Sequence, residues 1–209
     1  FRLVAYQPDV QVQLQRNPDW WGRADARNGN LQAATFLTIR SDATRLVVDI
    51  GGGSTECILG VNYDARERES LRMGCVVFSN QFFPGGLVDK ASLKAAETAA
   101  RIEIQGVARQ FRQGLWQDAV GSSGSAKALG EILLQNKQSD GHITADGLAW
   151  LRDRLLRAGD VNRLNLPGLK PDRKPVLPGG LVIMHALFRE LGIEAMEPAL
   201  GAMREGILW

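Results

Sequence analysis

Apolar and polar positions along this chain fall into two alternating patterns. Short β-branched runs read as strands, and longer stretches with apolar residues every three or four positions read as helices. Together they predict an α/β domain. Residues 46–50 form a buried strand by this reading, and residues 57–59 its hairpin return. Residues 61–69, with Asn62, Asp64 and alternating Arg and Glu, read as a solvated turn, and residues 71–78 as a further strand. Phe82 to Gly86 is a breaker. A helix is predicted over residues 90–114, on the apolar positions Leu93, Ala96, Ala99, Ile102, Ile104, Val107, Ala108 and Phe111. Residues 115–120 read as a strand, followed by a Gly/Ser loop and a helix to about Leu134. A polar linker then leads to a helix over residues 145–156, capped by Thr144, with Asp146 in its first turn. Residues 164–178 form a basic, proline-punctuated loop. A helix over 181–191, a strand over 194–200 and a last helix opening at Gly201 complete the pattern. At the other end, residues 1–6 read as a strand and residues 7–41 as polar and irregular, with Trp20 and Trp21 covering a small core or, as the alternative, forming a contact surface.

Composition changes this picture little. At 209 residues, with 44% hydrophobic and 23% charged residues, the chain is ordinary for a globular protein of one large or two small domains. A net charge of +2 gives no global case for a nucleic-acid partner, so none is expected and any anion site must rest on local groups. Cys57 and Cys75 both lie in apolar contexts and read as buried free thiols, which fits a reducing compartment. No signal peptide and no apolar run of membrane-spanning length is present, so no membrane association and a cytoplasmic location are expected. His142 and His185 lack metal-ligand spacing and read as structural.

The candidate chemistry sits in two glycine-rich stretches. The first runs Asp49, Ile50, Gly51, Gly52, Gly53, Ser54, Thr55, Glu56. Glycines let backbone amides approach an anion closely, successive amides form an anion-binding nest, and Ser54 and Thr55 add hydroxyl donors. Asp49, acceptor-only at a strand end, suits a bridging Mg²⁺ or a water rather than a bare phosphate. Glu56 is placed to reach the same ion or to orient an attacking water. A glycine-rich hairpin with no ligand is the plain alternative; the added Asp, Ser, Thr and Glu favour phosphate. The second stretch is Gly121, Ser122, Ser123, Gly124, Ser125, opening a helix that carries Lys127. Alone it reads equally well as a serine cap on a core helix or as an anion site at a helix N-terminus. Beside the first loop, the anion reading gains.

The run from Asp49 to Glu56 resembles the second phosphate loop of the exopolyphosphatase / guanosine pentaphosphate phosphohydrolase family, within the actin-like ATPase superfamily. Four further stretches are similar to family motifs in the same order: Ser70 to Gly74, Gly121 to Leu129, Val176 to Gly180, and Gly201 to Gly206. The resemblance implies a ribonuclease-H-like fold, with residues 44–209 as the second lobe and residues 1–43 as a partial remnant of the first. It implies that Arg173, in the basic loop, faces phosphate or nucleotide. Arg204 reads as a structural pair or a ligand contact. The family's catalytic glutamate motif has no match in residues 31–44, and missing first-lobe segments are the expected reason.

The resemblance further implies a phosphoric anhydride hydrolase that releases terminal phosphate from inorganic polyphosphate or guanosine pentaphosphate. Asp49 and Glu56 would be catalytic and hold Mg²⁺, while Gly51 to Thr55, Gly121 to Ser125, Lys127 and Arg173 would bind phosphate. A non-catalytic phosphate or nucleotide sensor and a sugar-kinase-like phosphotransferase are the alternatives. Homodimerisation is left open.

Overall fold

The structure, a computed structural model, describes residues 2–7, 11–15, 33–37, 43–61 and 64–199. Contacts divide the chain into two units, Phe1–Asp42 and Ala43–Trp209. The first holds a three-stranded antiparallel sheet of β1 (Arg2–Gln7), β2 (Gln11–Gln15) and β3 (Ala33–Leu37), in that order. The irregular region expected over 7–41 therefore contains two strands. In β2, Val12 and Leu14 alternate with Gln11, Gln13 and Gln15, a period-two pattern that polar composition conceals. Trp20 and Trp21 lie outside the described residues.

The second unit is built on a six-stranded sheet. Its elements are β4 (Thr44–Ile50), β5 (Thr55–Val61), β6 (Asp64–Leu71), α1 (Cys75–Phe82), α2 (Lys90–Gln105), α3 (Ala108–Phe111), β7 (Asp118–Ser122), α4 (Ser123–Gln135), β8 (Ile143–Thr144), α5 (Ala145–Ala158), α6 (Leu177–Leu191) and β9 (Ala195–Pro198). The sheet order is β6-β5-β4-β7-β9-β8. The first three strands are antiparallel hairpins, β4, β7 and β9 run parallel, and β8 returns antiparallel on β9. This is the ribonuclease-H-like arrangement, and the expected α/β class holds.

Strand β4 alternates as a half-covered strand should. Leu46, Val48 and Ile50 are buried, while Arg45, Val47 and Asp49 face the other side. Helix α6 packs into the core: twelve of its residues are buried, and His185, Arg189 and Glu190 form its polar side.

Several boundaries differ from the sequence expectations. The third strand is residues 64–71, not 71–78. Its charged residues reflect its place at the sheet edge, where Arg and Glu discourage pairing with another chain. The apolar run that follows is helix α1, with Cys75, Phe78 and Ser79 buried at helical spacing. The helix expected to reach residue 114 stops at Gln105, capped by Gly106. The next strand starts at Asp118, after Trp116 has anchored its indole N–H on the Phe111 carbonyl at 2.8 Å. Helix α6 starts earlier than expected, with Pro178 in its first turn, where a missing N–H costs nothing. The last expected helix and Arg204 lie outside the described residues.

Candidate active site

The two glycine-rich stretches emerge side by side, at the C-terminal ends of the neighbouring parallel strands β4 and β7. In the first, the Gly51 amide closes a turn on the Ser54 carbonyl at 2.9 Å. The Gly51 carbonyl accepts from the Cys75 amide at 2.9 Å, and the Gly52 carbonyl from the amides of Val76 and Val77 at 3.1 and 3.2 Å. The first turn of α1, whose amides have no helical partner, thus holds the loop by its carbonyls. Across a trans peptide the N–H points opposite to the C=O, and no peptide bond among the described residues is cis. The amides of Gly52 and Gly53 therefore point away from α1. They make no hydrogen bond among the described residues, and both glycines are exposed. Two successive free amides at an exposed turn are donors that an anion could use.

Asp49 pairs in register with Glu56 on β5 and with Ser122 on β7, so the three residues form a row across the sheet. Glu56 is fixed by two hydroxyls on one oxygen: Ser54 Oγ donates to Oε1 at 2.5 Å and Ser70 Oγ at 3.1 Å. The Asp49 side chain makes no hydrogen bond or ion pair among the described residues. Two facing carboxylates with no cation between them would ordinarily destabilise a strand pair. Ser70 had no assigned role in the sequence reading. Its only signal was its place in a recognised motif, because the contact depends on the β5–β6 register that sets Glu56 opposite Ser70.

The second stretch is tied to the first. Ser123 Oγ and Ser125 Oγ both donate to the Ile50 carbonyl, at 3.0 and 3.2 Å. Ser123 has φ of 73°, a left-handed conformation uncommon outside glycine, at the point where strand turns into helix. Ser122 occupies the N-cap position of α4 without capping it through its side chain. The guanidinium of Arg173 lies so close over Gly124 that a Cβ there would collide with it. A small cavity between them is lined by Gly124, Ser125, Arg173, Leu177 and Gly180. The structure thus brings Arg173 from the basic loop onto the second glycine loop.

Three of the named residues sit elsewhere. Thr55 is fully buried, and its hydroxyl donates to the Met73 carbonyl at 2.7 Å, so that proton serves the β6–α1 connection rather than a ligand. Gly121 is a strand residue beneath the loop, packed on Met196 and Ala126. Lys127 projects from another side of α4, beside Glu131, Gly141 and Pro198, and does not join Arg173. Cys57, next to Glu56 in sequence, is held neutral: burial, then the Glu56 and Glu69 charges, push its thiol up to about 12. Among the described residues no group of three or more His, Cys, Asp or Glu forms a metal cluster. A larger cavity of about 420 Å³, lined by Trp116, Asp118, His142 and Glu194, lies toward the opposite ends of β7 and β9 and touches neither loop.

Residues 23–209 match the model of the Ppx/GppA phosphatase family. The chain belongs to that family. The protein shares 40% identity over 172 residues with a guanosine-5'-triphosphate,3'-diphosphate pyrophosphatase of Aeromonas hydrophila, an alignment covering 82% of this chain and 34% of that protein. The chain therefore spans about a third of the length of this curated Ppx/GppA-type relative. Among solved structures, the Aquifex aeolicus PPX-GPPA enzyme superposes with a TM-score of 0.66 at 21% identity, covering 81% of this chain and 57% of that one. An exopolyphosphatase from Cytophaga hutchinsonii gives 0.67 at 18% identity, with the same 81% and 57% coverage. At these identities the structures establish a shared fold.

Proposed function

We propose that this chain is the phosphate-holding part of a phosphoric anhydride hydrolase. The enzyme would release terminal phosphate from guanosine pentaphosphate or inorganic polyphosphate. The observation that carries this reading is the meeting of the two loops. The free amides of Gly52 and Gly53, the N-terminus of α4 and the Arg173 guanidinium gather at one end of the sheet, beside Asp49 and Glu56. The named Aeromonas relative supports the guanosine nucleotide, and the fold neighbour from Cytophaga supports polyphosphate.

The division of labour follows from the geometry. The Gly52 and Gly53 amides and the α4 N-terminus would hold phosphoryl oxygens, as preorganised donors at no reorganisation cost. Arg173 offers a planar fork of donors to a neighbouring phosphate. Ser54 and Ser70 hold Oε1 of Glu56, which leaves Oε2 for a ligand or an attacking water. The donor set fits Mg²⁺: two carboxylates paired across strands without a cationic side chain match an ion that takes one or two carboxylates and keeps its waters. Asp49 and Glu56 would hold it, and it would neutralise charge on the transferring group. None of the described helices is long and apolar enough to cross a membrane.

The test is phosphate release by the intact gene product with Mg²⁺, on guanosine pentaphosphate and long polyphosphate side by side. Asp49→Asn and Glu56→Gln should each cut release by about 10²-fold or more, the scale of a lost electrostatic stabiliser. No release from either substrate, with pyrophosphate still bound at the loops, would sink the hydrolase and leave a phosphate sensor.

A further inference from the structure

A second cluster of cations lies outside the glycine loops, in a cleft between α2 and α6. A cavity of about 230 Å³ there is lined by Lys94, Glu97, Thr98, Arg101, His185, Ala186 and Arg189. The two carboxylates around it are already engaged. Glu97 Oε1 accepts from Arg152 Nε at 2.5 Å. Glu190 accepts from Arg101 Nε at 2.5 Å and from Gln105 Nε2 at 3.1 Å, one on each oxygen. Lys94 and Arg189 make no ion pair among the described residues. Four cationic side chains, Lys94, Arg101, Arg152 and Arg189, thus meet two carboxylates.

His185 stands on the floor of this cleft, half-buried on α6, and its ring makes no hydrogen bond among the described residues. No buried side-chain nitrogen or oxygen among them is left without a partner, so the ring nitrogens reach open space. A packed core histidine would be enclosed or bonded; this one faces an excess of positive charge across a cavity.

We infer that the α2–α6 cleft is a second anion site, for a small multivalent oxyanion of the phosphate or pyrophosphate class. Lys94 and Arg189 supply its charge and His185 a ring N–H donor. The ligand would offset the charge excess that the protein's own carboxylates leave, through charge-assisted hydrogen bonds. Its location has a structural consequence. Helix α6 carries Gly179 and Gly180 against α1 and Ser125 at the first site, and His185 and Arg189 at the second. One helix, buried along most of its length, joins the two.

The chain has only two histidines, His142 and His185, so ring NMR signals read the cleft directly. The groups facing His185 are Glu97, Arg152, Arg189, Lys94 and Arg101. Inorganic pyrophosphate, titrated into the 209-residue chain at constant ionic strength, should move the His185 signals saturably and raise the pH of its titration midpoint. His142 should stay put. In the Lys94→Ala/Arg189→Ala variant the apparent affinity read at His185 should fall about tenfold or more, as expected for two lost charge-assisted contacts. Both residues lack ion pairs, and unchanged His142 signals check the fold. A Gly53→Val change at the glycine loop should leave the His185 response intact, which separates this site from the proposed catalytic one. The inference is overturned if His185 does not respond, if sodium chloride moves it equally, or if the double variant responds like the parent.

Discussion

Single residues at this site act through space as much as through chemistry. Gly74 has no room for a side chain because the first glycine loop lies against it: a Cβ there would come within 2.5 Å of the Gly53 nitrogen and closer still to the Gly52 carbonyl. The obstacle is backbone, which cannot rotate aside. Gly74→Ala should therefore destabilise the protein by about 1–3 kcal/mol, the range for overpacking. It should also lower anion affinity at the loop, because the α1 amides that hold the Gly51 and Gly52 carbonyls would be displaced. A thermal melt and a pyrophosphate titration on the same variant check both. Loss of stability with affinity intact would show that the loop does not depend on α1. Thr55 shows the opposite limit of residue-level reading. Its type suited a phosphate ligand, but the alternation of β5 turns it into the core, where an unbonded hydroxyl would be costly and Met73 supplies the acceptor.

At the scale of elements, α1 and α6 do more to shape the site than the strands that carry the motifs. They cross at Gly179, where a Cβ would lie 2.8 Å from Ser79 Oγ and from the Ser79 amide nitrogen. Ser79 Oγ in turn accepts from the Gly179 amide at 3.0 Å. Gly179→Ala should push the helices apart, lowering the melting temperature and loosening both the α1-held loop and the α6-borne edge of the Arg173 cavity. The proposed phosphate release should drop with it, although Gly179 lies outside both glycine loops. Unchanged release in a variant that melts early would refute that coupling. Elements were legible in the sequence where their pattern was strong. The buried run of β4, the capped helix α5 and the body of α6 were legible, because each is determined by burial on a regular period, while the pattern places the start of α6 four residues late. Strand β6 did not, since an edge strand of Arg and Glu has no buried face from which to be recognised.

The whole molecule responds to pH through groups that burial or a hydrogen-bond partner shifts from their ordinary values. Glu190 is pushed up by burial, but bonds from Arg101 and Gln105 outweigh this and hold it below its usual range. Asp89 is lowered by the Ser92 amide and hydroxyl in the α2 capping box, and Asp140 by its bond to His142. A carboxyl held low in the native state contributes stability above its ordinary value and loses it as pH falls through the native one. His185 is pushed down by burial, against the pull of Glu97 and with help from Arg152 and Arg189. Its unfolded form takes up protons first, so its contribution is full above the ordinary 6.5 and declines below it. The Cys57 thiol, raised to about 12 from 9.0, contributes below 9.0 and loses that contribution as pH rises above it. The melting temperature should therefore be highest between about pH 6.5 and 9, decline below about 6.5, and decline further under about pH 4. Substituting His185→Gln should flatten the first of these declines and leave the second.

The sequence by itself determined the fold class, the family, the two glycine loops and the candidate carboxylates. Each is written in local runs of residue type: a β-branched strand ending in Asp49, three glycines, a serine-rich turn into a helix. Only the tertiary structure decided which of those residues meet. Register set Glu56 between Asp49 and Ser70. Helix α1 took the loop carbonyls and freed the Gly52 and Gly53 amides, and the basic loop laid Arg173 on Gly124 while helix periodicity carried Lys127 away. The physical reason is range. Chemical type and local period are properties of neighbours along the chain, whereas hydrogen-bond partners and charge excess arise between segments dozens of residues apart.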